Sequence, residues 1–333
     1  MPSVTSKISR IFIASYKGDV RLTRICVASI RHWYPEILIT LIKDYSWGRF
    51  PTGDICRRWK VNVLDTGGKA YGWGLSKLEP LFLPEKMRCL IIDSDIVFLG
   101  PVLNRLEQSD ADFIVSGRTA DTVRPDEIPE LYVRMEVLSP MDPTFELPSF
   151  FFNSGHFVAS TGLFSRDDMS RWIDWTGRAH MRYPKVFPCA DQGLLNYWLH
   201  RMAQQGGLTL ESIQFALWPD TSEVRSLDFE KILATGGIPC LVHWAGLRKP
   251  LLRRMIRSDI LQYFEDEYHC GRPSRACAQT WLAIHYAFTS YRMRAEVKGK
   301  IWFSQKLGRN RVQSLKNLAR LIGGRDGKST RIT

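Results

Sequence analysis

The stretch Arg88–Gly100 reads RCLIIDSDIVFLG, two apolar runs with a pair of carboxylates set between them. A buried strand cannot carry unpaired charges through its middle, because each would lose its hydration without compensation. Asp93 and Asp95 therefore belong at the end of a strand, on the rim of a sheet. In extended chain, residues i and i+2 point to the same side, so both carboxylates face one ligand while Ser94 faces away. A hard divalent cation takes oxygen ligands of this kind, and Mg²⁺ or Mn²⁺ can also be shared with diphosphate oxygens. Taken alone, the triplet suits a solvated turn or a helix N-cap just as well.

The chain around this rim alternates between strand and helix patterns. ISRIFIAS (8–15), ILITLIK (37–43), VNVL (61–64) and DFIVSG (112–117) read as strands, and a helix is expected over 20–33 with Ile25, Ala28, Ser29 and Trp33 on it. LSKLEPLFLP (75–84) has a helical pattern, with Pro80 near its start or kinking it. Residues 120–150, rich in Pro, Asp and Glu, suit a loop-rich excursion over a cleft; 151–160 returns as a strand. Helices are expected at 166–181 and 192–202, a late strand at 239–246, and helical chain beyond 258. Strands separated by helices predict an α/β fold with a mostly parallel sheet.

Four more segments stand in order around the carboxylates. Ser76-Lys77-Leu78-Glu79 precedes them; Phe152-Asn153-Ser154-Gly155 and Asp191-Gln192-Gly193-Leu194-Leu195-Asn196 follow. The last is His243-Trp244-Ala245-Gly246-Leu247-Arg248-Lys249-Pro250. Each has a plain reading by itself. Asn153-Ser154-Gly155 suits a tight turn, Asp191 an N-cap for the helix through Gln192–His200, Lys77 a solvated helix face, and His243 a strand-end histidine. As an ordered set they resemble family 8 glycosyltransferases, in particular their glycogenin-like and bacterial lipopolysaccharide galactosyltransferase-like members, over residues 8–255.

That resemblance implies a Rossmann-like GT-A nucleotide-sugar-binding fold with a mixed sheet, spanning residues 1–257. It implies Asp93, Asp95 and His243 as ligands of Mn²⁺ or Mg²⁺, imidazole being an acceptable partner for two carboxylates. Lys77, Asp191 and Gln192 become the catalytic candidates. The donor, a UDP-sugar, would be held by Ser15, Tyr16, Ser94, Asn153, Ser154, Gly155, Gly246 and Lys249. Gly246 permits close backbone approach to a phosphate, and Lys249 supplies a point charge for the diphosphate. The Thr-Asn-type pair usual at the first strand is missing here, so position alone argues for Ser15 and Tyr16. Retention of anomeric configuration is implied, with a glycan or glycolipid as acceptor. Two rivals stand beside this reading: a non-catalytic nucleotide-sugar or glycan-binding module of the same fold, and a nucleotidyltransferase. The second should carry a glycine-rich phosphate loop after the first strand, which Ser15–Asp19 is not.

Charge divides the chain unevenly. Of the net +12, residues 292–333 hold +10, from twelve Lys or Arg against Glu296 and Asp326, which leaves about +2 for the first 291 residues. A nearly neutral body argues against nucleic acid as a partner. Val312, Leu315, Leu318, Ala319 and Ile322 keep helical spacing opposite Arg309, Arg311, Lys316 and Arg320, as a helix lying on an anionic membrane surface would. The organisation expected is thus the α/β domain, a helical packing segment over 258–291 and a basic tail over 292–333. No apolar run reaches the ~20 residues of a membrane span, and the N-terminus lacks a signal-peptide pattern. Seven scattered cysteines without a C-x-x-C pair read as reduced thiols. Together these features predict a cytoplasmic protein, peripheral on the inner face of a membrane.

Overall fold

The segments read as strands form strands in the computed structural model, which describes residues 7–72, 74–246 and 251–270. In chain order they are β1 (Arg10–Tyr16), β2 (Leu38–Asp44), β3 (Val61–Leu64), β4 (Arg88–Asp93), β5 (Ile96–Phe98) and β6 (Phe113–Thr119). Then follow β7 (Phe150–Ser160), β8 (Ile173–Asp174), β9 (His180–Met181), β10 (Leu210–Ser212), β11 (Ala216–Leu217) and β12 (Leu241–His243). The helices are α1 (Val20–Trp33), α2 (Gly53–Trp59), α3 (Leu103–Leu106), α4 (Met135–Leu138), α5 (Asp191–Gln204), α6 (Ser222–Arg225), α7 (Phe229–Ala234) and α8 (Ser258–His269).

The main sheet has the order β10-β6-β7-β4-β1-β2-β3. The pairs β3–β2, β2–β1, β1–β4 and β6–β10 are parallel, whereas β7 runs antiparallel to both its neighbours. The sheet is therefore mixed through one reversed strand. Its β3-β2-β1-β4 half is the Rossmann arrangement, in which the chain crosses from one side of β1 to the other. Ligands gather at the carboxyl ends of strands at such a switch, and β1 and β4 end there in Tyr16 and Asp93. A smaller sheet, β11-β12-β5, stands beside it and pairs His243 with Ile96.

Alternation along the strands feeds two cores. Ile11, Ile13, Leu90 and Ile92 face one cluster with α1 and α8; Phe12, Cys89 and Ile91 face the other with α5. Each fully buried Ile, Leu or Phe contributes roughly 1.5–3 kcal/mol relative to exposure. Helix α8 is fastened to α1 by a two-pronged pair, Arg21 to Glu265 at 2.6 and 2.7 Å, and by His32 to Glu267 at 3.1 Å.

Two expected helices differ. Leu75–Phe82 is a 3-10 helix, its Pro80 inside the turn being unable to donate the bond an α-helix needs. Residues 166–181 hold only one turn of 3-10 helix, Asp167–Met169, and then the β8–β9 hairpin. Asp174 there accepts from both the backbone N–H and the hydroxyl of Thr176, and Gly177 follows at φ +57°. This local turn competes successfully with the helix expected over 166–181. The excursion at 120–150 carries short turns, including a π-helical one at Ile128–Tyr132. Among the described residues no helix is long and apolar enough to cross a membrane. The basic tail lies outside the described residues.

Candidate active site

β4 ends at Asp93, and Ser94-Asp95 turn the chain into β5. The pair is thus presented by a tight turn, not by the extended chain that alternation assumed, yet both carboxylates still converge. They do so because β12 runs antiparallel to β5 and brings His243 over them, while Trp244 N–H donates to the Asp95 carbonyl at 3.0 Å. One ligand atom from each of Asp93, Asp95 and His243 lies within 4.8 Å of the others. His243 Nε2 stands 3.2 Å from Asp95 Oδ1 and 3.9 Å from Asp93 Oδ2. Ser94 is buried and its hydroxyl donates to Asp19 at 3.3 Å, tying the turn to the end of β1.

A second cluster adjoins the first. Lys77, nearly wholly buried on the 3-10 helix, reaches Asp93 at 3.1 Å and Asp191 at 2.9 Å. Its ammonium lies 3.4 Å from the Ser154 hydroxyl, which donates to Asp191 at 2.7 Å. Burial opposes the lysine charge, but Asp191 and Asp93 outweigh it and hold the ammonium above the ordinary lysine range. Burial raises the Asp93 carboxyl, Lys77 pulls it down, and Asp95 adds to the rise. The lysine helix is itself anchored: the buried Glu79 accepts from Tyr71 Oη at 2.8 Å and pairs with Arg166.

The strand supplying Ser154 is bulged. Val115 pairs with Phe157 and Gly117 with Phe152, so Asn153, Ser154, Gly155 and His156 together oppose only Ser116. Such a bulge re-aims side chains that strict alternation would divide between faces. Asn153 donates to Gln192 Oε1 at 2.8 Å and accepts from Gly155 N–H at 2.8 Å. A Cβ at Gly155 would run into His243 Cε1 and come within 2.8 Å of Asp93 Oδ2, so only glycine leaves the space beside those ligands open. Two carboxylates and an imidazole around a space kept clear by a glycine fit a divalent cation such as Mn²⁺ or Mg²⁺.

Asp191 is the first residue of α5 and makes no capping bond; the N-cap position is Ala190, at φ +42°. The expected N-cap role is thereby corrected: the Asp191 carboxylate is turned to Lys77 and Ser154. Gly74, at φ +70°, lies so close over this carboxylate that a Cβ there would overlap it. Gln192 also donates to the Leu131 carbonyl at 3.1 Å, linking the excursion to the cleft. Ser15 is buried and hydrogen-bonded to Thr23 at 2.6 Å. Tyr16 is half-buried, and burial, with Asp19 beside it, raises its hydroxyl well above the ordinary range. Gly246 is exposed in the turn after β12 at φ +128°, and Lys249 lies outside the described residues.

No family model and no curated protein matches the chain. Solved structures do. LgtC, a galactosyltransferase determined with donor and acceptor sugar analogues, is 14% identical at TM-score 0.52, over 80% of this chain and 98% of that one. An active-site glutamine-to-glutamate variant of LgtC gives a TM-score of 0.51 at 14% identity, with the same 80% and 98% coverage. The bifunctional glycosyltransferase WbbM is 13% identical at TM-score 0.49 over 83% of this chain, which spans about half, 52%, of WbbM. The chain shares its fold, a GT-A-like glycosyltransferase fold, with LgtC.

The GT-A frame brings together Asp93, Asp95, His243, Lys77, Asn153, Ser154, Gly155, Asp191 and Gln192, from five separated stretches of sequence. Several supporting residues escaped the sequence reading. Asn196 accepts from Phe152 N–H at 3.0 Å and donates to Phe152 C=O at 2.8 Å, locking α5 to the start of the bulge. Trp218 stacks on His243 with centroids 5.2 Å apart, and His156 meets the same ring edge-on at 5.5 Å. Burial, with His243 and Lys77 adding to it, holds the His156 imidazole well below its ordinary range.

Proposed function

We propose that this chain transfers a hexose from a UDP-sugar to a glycan or glycolipid acceptor, with retention of configuration and with Mn²⁺ or Mg²⁺ held by Asp93, Asp95 and His243. The observation that carries the reading is the meeting of two clusters, Asp93/Asp95/His243 and Lys77/Ser154/Asp191, at the carboxyl ends of β4 and β1 in a GT-A fold. LgtC, which shares that fold, is a galactosyltransferase with donor and acceptor sugar analogues in its structure and a glutamine in its active site. Gln192 is the glutamine beside the cleft here, hydrogen-bonded to Asn153.

In the transfer, the bond between the sugar C1 and the diphosphate oxygen breaks and its electron pair leaves with the diphosphate. The acceptor hydroxyl oxygen bonds to C1, and its proton passes to the departing phosphate oxygen. The cation, when bound, offsets the negative charge that grows on the diphosphate. Lys77, fixed between Asp93 and Asp191, sets a positive charge at the boundary between the phosphate and sugar ends of the cleft. Asp191 faces the region where the oxocarbenium-like sugar carbon becomes positive, and its charge stabilises that carbon. Asn153 and Gln192 orient each other as hydrogen-bonding partners for sugar hydroxyls. In this reading Ser15, Tyr16 and Ser94 serve the nucleoside, and Gly246 and Lys249 serve the phosphates. Residues 292–333 would hold the enzyme on an anionic membrane near a glycolipid acceptor.

The test is a turnover screen of nucleotide-sugars with Mn²⁺, Mg²⁺ or chelator, read by nucleotide release with and without glycan acceptors. Metal-dependent release of UDP from one UDP-hexose is the expected result. No turnover of any nucleotide-sugar by metal-loaded, folded protein would contradict it.

A further inference from the structure

A metal-binding imidazole ordinarily donates its second ring N–H to a carboxylate, a carbonyl or water, and that bond fixes the plane of the ring. His243 is built differently. Its Nε2 lies 3.2 Å from Asp95 Oδ1, while its buried Nδ1 has no hydrogen-bond partner among the described residues. The ring is confined by two other rings. Trp218 covers its face at 5.2 Å and 27°, and His156 stands against it at 5.5 Å and 90°. His156 is itself wedged against Phe215 at 5.4 Å and 84° and is 1% exposed, so it has little freedom to give way. It stands opposite Ile92 of β4, two residues before Val158 on the same face of β7.

We infer that His156 is a positioning residue: together with Trp218 it clamps the His243 imidazole by ring contacts, in place of a hydrogen bond, so that Nε2 stays directed at the Asp93/Asp95 ligand set. The inference rests on the metal reading proposed above. Offset-stacked and edge-on arrangements of this kind are the favoured ones for aromatic pairs. With no polar partner for His243 Nδ1 among the described residues, orientation depends on packing and should follow ring shape, not hydrogen-bonding capacity. A phenyl ring at position 156 should therefore serve where a methyl group does not.

The experiment measures Mn²⁺ binding alone, by calorimetry and by pulsed EPR of the imidazole nitrogen coupling, on the full chain. His156→Ala should weaken binding about ten-fold, the lower end of what loss of an orienting partner costs a metal site. His156→Phe should recover affinity to within about three-fold and restore the wild-type nitrogen coupling, because it restores the edge-on ring. Wild-type affinity and coupling in His156→Ala, with binding lost in His243→Ala, overturn the clamp and leave the metal reading standing. Wild-type binding in His243→Ala removes the metal reading itself. Equal loss in folded His156→Ala and His156→Phe also overturns the clamp, since it marks a direct nitrogen ligand. If near-UV circular dichroism shows either His156 variant unfolded, the half-buried Trp218 carries the test: Trp218→Leu should weaken Mn²⁺ binding and Trp218→Phe should not. Equal binding by those two variants contradicts the clamp.

Discussion

Asp93, Asp95 and His243 bring two carboxylates and an imidazole together, whereas Lys77, Ser154 and Asp191 bring donors to acceptors. The first cluster crowds its ligand atoms within 4.8 Å, and Asp95 there raises the Asp93 carboxyl. The second is satisfied within itself, its ammonium 2.9 Å from one carboxylate and its hydroxyl 2.7 Å from the same group. Asp93 belongs to both, because Lys77 also reaches it at 3.1 Å. On the proposed reading the two do different work: one takes an ion, and the other is a preformed charged wall. Mutations should therefore act on function in the first and on stability as well in the second.

Lys77→Ala should have the largest effect on stability. It leaves Asp191, 2% exposed, without its ammonium, and breaking a buried pair costs about 3–5 kcal/mol. Chemical denaturation checks this, and adding Asp191→Asn should return part of the loss, as expected for two partners of one interaction. A wild-type denaturation midpoint for Lys77→Ala would dissolve the distinction between the clusters.

Asp95→Asn should act the other way. Removing one charge that supports the leaving diphosphate should lower turnover about 10²–10³-fold. Its denaturation midpoint should shift less than that of Lys77→Ala, since amide and carboxylate have nearly the same volume. Nucleotide release from the donor identified in the screen gives the turnover. A variant as active as wild type in the presence of chelator would break the assignment.

Ser154→Ala should give a smaller change of the same kind as Lys77→Ala. A hydrogen bond to a charged group is worth about 1.5–3 kcal/mol, and the Ser154 hydroxyl donates one to Asp191. Denaturation should show that loss, and Ser154→Thr should restore much of it by keeping the hydroxyl. Equal destabilisation by alanine and threonine would mean that packing, not the hydrogen bond, matters at this position.

The two clusters were not equally legible in the sequence. Asp93 and Asp95 interrupt an apolar run, and charge in the middle of a strand pattern has few places to go. The strands themselves were legible for the same reason, since their apolar runs are short and bounded by turn residues. The partnership of Lys77 with Asp191 was hidden, because the residues lie 114 positions apart and each has an ordinary helical explanation. His156 was hidden for another reason. A single histidine in an apolar strand carries no signal of the ring it meets 87 positions on. The hairpin at 166–181 was missed because the Asp174–Thr176 turn, which breaks the expected helix, is fixed by hydrogen bonds that show only in the fold. Motif order found the cleft; local hydrogen bonds decided its walls.

On the proposed reading, the Asp93/Asp95/His243 cluster takes a divalent cation and thereby a nucleoside diphosphate. Calorimetric titration of UDP into the full-length protein, with Mn²⁺ and again with chelator, tests it most directly. The account predicts saturable binding with Mn²⁺ that is lost on chelation and is absent in Asp95→Asn under both conditions. Equal UDP affinity with and without the metal, in wild type and variant alike, would contradict it.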